Sequence, residues 1–76
     1  MRFIVQALRQ SELQVFFEPH GLEATIKEGE SITVEWIGEW GEIAYTPHGV
    51  IIGRPSGGRE ISMRAWMPNG EELDLW

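Results

Sequence analysis

Residues 33–42 read TVEWIGEWGE, which sets Trp36 and Trp40 four residues apart with Glu35, Glu39 and Glu42 around them. An indole ring among carboxylates suits contact with a cationic partner, because the ring anchors through buried area while the charges steer the approach. A second candidate is Arg54-Pro55-Ser56-Gly57-Gly58-Arg59, where two arginines bracket a glycine pair. Guanidinium groups and loop amides in that arrangement can cradle a phosphate or carboxylate. No Gly-Lys-Ser/Thr follows, and the next stretch reads as a strand, so the helix N-terminus of a nucleotide-binding loop is missing. The simpler reading of this loop is a flexible connection with Arg54 and Arg59 as anion-binding candidates.

Catalysis requires a nucleophile, a base or a metal cluster. Ser11, Ser31, Ser56 and Ser62 stand in no nucleophile-elbow or lysine-paired context, and His20 and His48 both sit in Pro-His-Gly turns. Those histidines would join glutamates in a metal site only if their loops met in space, and zinc-type ligand spacing is absent. No pair of groups has plausible acid and base roles. The expectation is a protein that is not an enzyme, with no metal and no cofactor.

Composition narrows the partner. Between Glu12 and Glu42 the chain carries eight glutamates against Lys27 alone, a balance of −7, while the remainder carries three glutamates and Asp74 against five arginines, +1. Nearly all of the net charge of −6 therefore lies in one contiguous half. A field of that sign disfavours nucleic acid and anionic membrane and draws in a basic partner. It also keeps a small protein soluble whether or not it binds anything.

Seventy-six residues make one domain, residues 1–76, and a chain this short buries only about 60% of the surface its unfolded form exposes. No cysteine is present, so neither disulfides nor thiolate metal sites supplement the core, and packing must carry the fold. The opening MRFIVQALRQ is a poor signal peptide, and no stretch approaches the roughly 20 apolar residues of a membrane span. A cytoplasmic location is expected.

The elements that must position these residues are punctuated by turns. Pro19-His20-Gly21, Pro47-His48-Gly49 and Pro68-Asn69-Gly70 each pair a proline, which presets the first central turn position, with a glycine suited to the left-handed one. Each reads as a hairpin loop. Register follows from asking which loop length sets apolar residues opposite one another, since a one-residue slip turns every side chain to the other face. A four-residue loop from Glu18 to Gly21 pairs Phe17 with Leu22, Val15 with Ala24 and Leu13 with Ile26. Continuing through Glu28-Gly29-Glu30 pairs Ile26 with Ile32, Ala24 with Val34 and Leu22 with Trp36. A four-residue loop from Gly38 to Gly41 then pairs Trp36 with Ile43 and Val34 with Tyr45, and keeps Glu35 from facing Glu42. At the C-terminus, a Pro68–Gly70 loop sets Ala65 against Leu73, Met63 against Leu75, Arg64 against Asp74 and Trp66 against Glu72.

VIIGR reads as a strand buried on both faces or nearly so, and RFIVQAL, ambiguous between helix and strand, is assigned to strand. The expected fold is all-β: a small antiparallel meander of seven to eight short strands forming a compact barrel or β-sandwich. By parity Phe17, Trp36 and Tyr45 share the apolar face, while Phe16, Trp40 and Trp66 fall opposite it or at a loop tip. Trp76 ends the chain, either docked or frayed.

The stretch FEPHGLEATIKEGESITVEW resembles the early strands of cupredoxin-like domains, in which Phe-x-Pro is followed by an isoleucine, a Gly-acidic turn and an alternating Val-x-Trp strand. The resemblance implies a β-sandwich. The family's copper site needs a cysteine and suitably placed histidines, and this chain has no cysteine and no histidine after His48, so neither copper nor redox activity carries over.

These readings lead to a non-catalytic acidic interaction module of the inhibitor, immunity or accessory type. It would bind a protein with a basic surface through Trp40, Glu35, Glu39 and Glu42, with Trp66 as a further contact. One alternative is a small-ligand or carbohydrate binder using the exposed tryptophans. The other is a homo-oligomeric assembly domain, joined through the edges that the first and last strands leave open.

Overall fold

The structure, a computed structural model, describes residues 1–8, 12–19 and 21–75. Ser11, His20 and Trp76 lie outside them, and with them the expectations for the His20 turn and the chain end. Seven strands form: β1 (Arg2–Gln6), β2 (Glu12–Phe17), β3 (Leu22–Lys27), β4 (Ser31–Ile37), β5 (Ile43–Thr46), β6 (Gly49–Ile52) and β7 (Ser62–Trp66). They build two sheets, ordered β1-β4-β7 and β3-β2-β6-β5, with one hydrophobic core drawn from both. The result is a sandwich and not a closed barrel, because each sheet keeps two edges. Among the described residues no helix is long and apolar enough to cross a membrane.

Alternation explains the elements. In β2 and β4 every second residue is buried: Leu13, Val15 and Phe17 in one, Ile32, Val34 and Trp36 in the other. The N-terminal segment is a strand, with Phe3 and Val5 packed against the core and Ile4 exposed. β2 and β3 form the hairpin expected from the sequence, with Phe17 opposite Leu22, Val15 opposite Ala24 and Leu13 opposite Ile26. Gly21 closes it in the left-handed region at φ 75°, donating its N–H to the Phe17 carbonyl at 2.8 Å. The C-terminal register also holds: Trp66 bridges Glu72, and the Leu73 N–H reaches the Ala65 carbonyl at 2.8 Å.

The meander does not hold. Glu28-Gly29-Glu30 and Gly38–Gly41 are not hairpin loops, because at each the chain leaves one sheet for the other. Ile26 therefore does not pair with Ile32, nor Trp36 with Ile43. β4 lies between β1 and β7, with Val34 facing Phe3 and Ala65, and Trp36 facing Met63. β6 runs parallel to β2, the one parallel pairing among the described strands. Parity tells which face of a strand is buried, and that face points to the core in either sheet; it does not tell which strand lies alongside.

Tyr45 departs furthest from expectation. Parity puts it in the core, yet it is 82% exposed. Its side chain does share the core-side face with Val50, its partner across the β5–β6 ladder. β5, however, is the outermost strand of a four-stranded sheet facing a three-stranded one, so this face extends past its cover. The β5–β6 turn is two residues long, Pro47-His48, with the Thr46 Oγ1 accepting N–H bonds from His48 and Gly49, each at 3.1 Å.

Candidate functional site

β4 ends at Ile37, and the chain turns at Gly38, where a Cβ would come within 2.9 Å of the Pro55 side chain. That close approach draws together the two loops that carried the chemistry in sequence. The Glu39 N–H lies 3.1 Å from the Ser56 carbonyl and 3.2 Å from that of Gly57, and the Trp40 N–H donates to the Ser56 carbonyl at 3.1 Å. In return the Ser56 N–H donates to the Trp40 carbonyl at 2.7 Å, closing a two-way antiparallel bridge. The 54–59 loop is thus tied down and is not the flexible connection expected. Gly57 and Gly58, at φ 83° and 90°, supply the left-handed turn that brings it back.

Trp40 emerges from this braced loop 67% exposed. It forms one lip of an open cleft of about 240 Å³ whose other lining residues include Glu18, Glu42 and Arg54. The cleft floor is the outer face of β5 and β6, where Ala44 and Ile51 stand as cross-strand partners. Among the described residues, the side-chain carboxylates of Glu18, Glu39 and Glu42 have no hydrogen-bond or ion-pair partner. The other tryptophan of the motif works from beneath. Trp36 packs edge-on to Phe3, centroids 5.1 Å apart at 75°, and its indole N–H meets the Met63 Sδ at 3.1 Å. Gly41 rests against the Trp36 ring so closely that a Cβ would come within 2.8 Å of it. The buried indole therefore supports the loop that displays the exposed one.

The remaining candidates lie elsewhere. Glu35 is on the outer face of the three-stranded sheet, 3.0 Å from Arg2 and across the ladder from Arg64. Trp66 is half-buried on that same face, with the Arg2 and Arg64 guanidinium groups 5.5 and 5.0 Å from its ring centroid. Arg64 also forks onto Glu72 at 2.7 and 3.0 Å, which holds the Glu72 carboxyl below the usual carboxylate range and raises the Arg64 guanidinium above its ordinary value. Arg59 is exposed but does not line the cleft, and His48 lies in the β5–β6 turn.

The structure thus joins Trp40, Glu42 and Arg54 at the cleft, leaves Glu39 on the braced loop with its side chain beside Gly57, and sets Glu35 and Trp66 apart from them. Sequence reasoning missed Glu18, Ala44 and Ile51. Ala44 is recoverable from parity, since it points opposite to Ile43 and Tyr45. Glu18 is not, because it reaches the cleft through the parallel pairing of β2 with β6, where the Glu18 N–H donates to the Ile52 carbonyl at 3.0 Å.

Fold and site together describe a small two-sheet β-sandwich with a tryptophan-lipped cleft at one edge. No protein-family model matches this chain, and neither a curated protein nor a solved structure matches it.

Proposed function

We propose that this protein is a non-catalytic interaction module that binds a partner protein by taking a basic side chain, on a mainly basic surface, into the Trp40 cleft. The observation that carries this reading is the display of Trp40: two-thirds exposed, yet held by backbone hydrogen bonds to Ser56. A preorganised aromatic loses little freedom on binding, which is what makes such a residue an effective anchor. Glu18 and Glu42 on the cleft suit a lysine or arginine whose alkyl stem lies along the indole while its charge meets the carboxylates. The cleft volume of about 240 Å³ favours this over the carbohydrate or small-ligand alternative. Pockets that enclose a drug-sized ligand run from about 300 to 1,000 Å³, and a smaller open cleft fits one inserted side chain better.

The test is affinity capture from native lysate with the wild-type chain and with Trp40→Ala, followed by mass spectrometry. A protein held by the wild type, lost on Trp40→Ala and released by high salt is the expected result. Identical captures from the two chains, unaffected by salt, would overturn the reading.

A further inference from the structure

The two sheets present four edges, and three of them are guarded. β1 and β3 carry charged residues, Arg2 in one and Glu23 and Lys27 in the other, and β7 has residues 71–73 returning along it. Charge and cover are the usual means by which an edge is kept from pairing with a foreign strand. β5 reads Ile-Ala-Tyr-Thr, with neither charge nor proline. Among the described residues, no strand or backbone hydrogen bond occupies its far side.

The ladder says which groups are left open. The Gly53 N–H donates to the Glu42 carbonyl at 2.9 Å, so Glu42 and Gly53 form a hydrogen-bonded pair. By antiparallel alternation Ala44–Ile51 and Thr46–Gly49 are also hydrogen-bonded pairs, whereas Ile43–Ile52 and Tyr45–Val50 are not. The N–H and C=O groups of Ile43 and Tyr45 therefore point away from β6, toward the open edge. A cleft lies on each side of this edge. The Trp40 cleft includes Ala44 on the outer face, and a second opening of about 240 Å³ on the core-side face is lined by Tyr45, Leu13, Val50 and Glu12, among others.

We propose that β5 is a strand-addition site: an extended basic segment of a partner protein pairs along Ile43–Thr46 and sends alternate side chains into the two clefts. Successive residues of a strand point to opposite faces, so one segment fills both clefts while its backbone meets Ile43 and Tyr45. Charge selects the occupant. Glu18 and Glu42 outnumber Arg54 on one side and Glu12 stands on the other, so the balance of both clefts is negative and lysine or arginine alternating with apolar residues is favoured. A second copy of this chain would bring the same carboxylates and a further net charge of −6. The inference deepens the Trp40 reading by supplying its binding mode.

An NMR titration of the full chain with an acetylated, amidated peptide of alternating lysine and valine tests it, with a glutamate–valine peptide as control. The Ile43 and Tyr45 amides should shift and become protected from exchange with the basic peptide only. Tyr45→Pro removes one outward N–H and no bond to β6, so a chain whose spectrum shows it folded should bind at least tenfold more weakly. N-methylation of alternate peptide residues on the pairing edge should have the same effect. The strand-addition proposal is overturned if folded Tyr45→Pro binds the peptide as the wild type does, or if the two amides stay unchanged up to millimolar peptide. It is overturned equally if those amides shift with protein concentration alone as a dimer forms, which would make a second copy the occupant. Binding lost on Trp40→Ala but kept on Tyr45→Pro would leave the Trp40 reading intact while removing strand addition.

Discussion

The Trp36 indole is buried against Phe3 and bonded to the Met63 sulfur, so truncation to alanine opens a cavity where the sheets meet. Trp36→Ala should cost about 3–5 kcal/mol, read as a fall in the urea midpoint, and in so small a domain it brings the chain close to unfolding. Gly41 is coupled to the same ring. A methyl group added there strikes a rigid indole, and Gly41→Ala should lose about 1–3 kcal/mol by overpacking and disturb the Trp40 loop. Trp40→Ala should behave in the opposite sense, leaving the urea midpoint within about 0.5 kcal/mol of wild type while removing partner binding. A Trp40→Ala chain that unfolds early would mean that the loop packs and does not bind.

At the scale of elements, the β5–β6 hairpin depends on Gly49, where a Cβ would collide with the Gln14 carbonyl across the parallel β2–β6 pair. Gly49→Ala should weaken that pair, and since among the described strands β5 pairs with β6 alone, amide exchange should accelerate in β5 and β6 before the β1-β4-β7 sheet. The residues returning along β7 are held differently, by the Arg64–Glu72 fork. Glu72 titrates below the usual carboxylate range because Arg64 bonds its charged form. The sign follows from that depression. The pair contributes fully above the ordinary glutamate range and loses its contribution as pH falls through the lowered Glu72 value. In an NMR pH titration the Glu72 carboxyl should protonate below the usual carboxylate range, and the shifts of residues 71–73 should move with it.

For the whole molecule, the proposed binding rests on acidity. The charges that steer a basic segment are exposed, so raising salt from about 0.1 M to 1 M, which shortens the screening length from about 10 to 3 Å, should weaken binding at least tenfold, mostly by slowing association. Much of this molecule was legible in its residues. Period-two alternation assigned Val15, Phe17, Ile32, Val34 and Trp36 to the interior, and turn chemistry set the β2–β3 register and the C-terminal register, because both signals are local. Strand neighbours were not legible. Whether a loop such as Glu28-Gly29-Glu30 closes a hairpin or carries the chain to a second sheet depends on how two sheets share one core, and alternation is the same in both cases. The same ambiguity placed Tyr45 on the correct face and the wrong side of the surface, since only the count of strands in the opposing sheet decides that β5 lacks cover. In TVEWIGEWGE, sequence alone separated a buried Trp36 from a loop Trp40. That the loop is braced by Ser56 and opens onto a cleft, beside a strand edge that no described strand pairs, was decided by contacts between residues far apart in the chain.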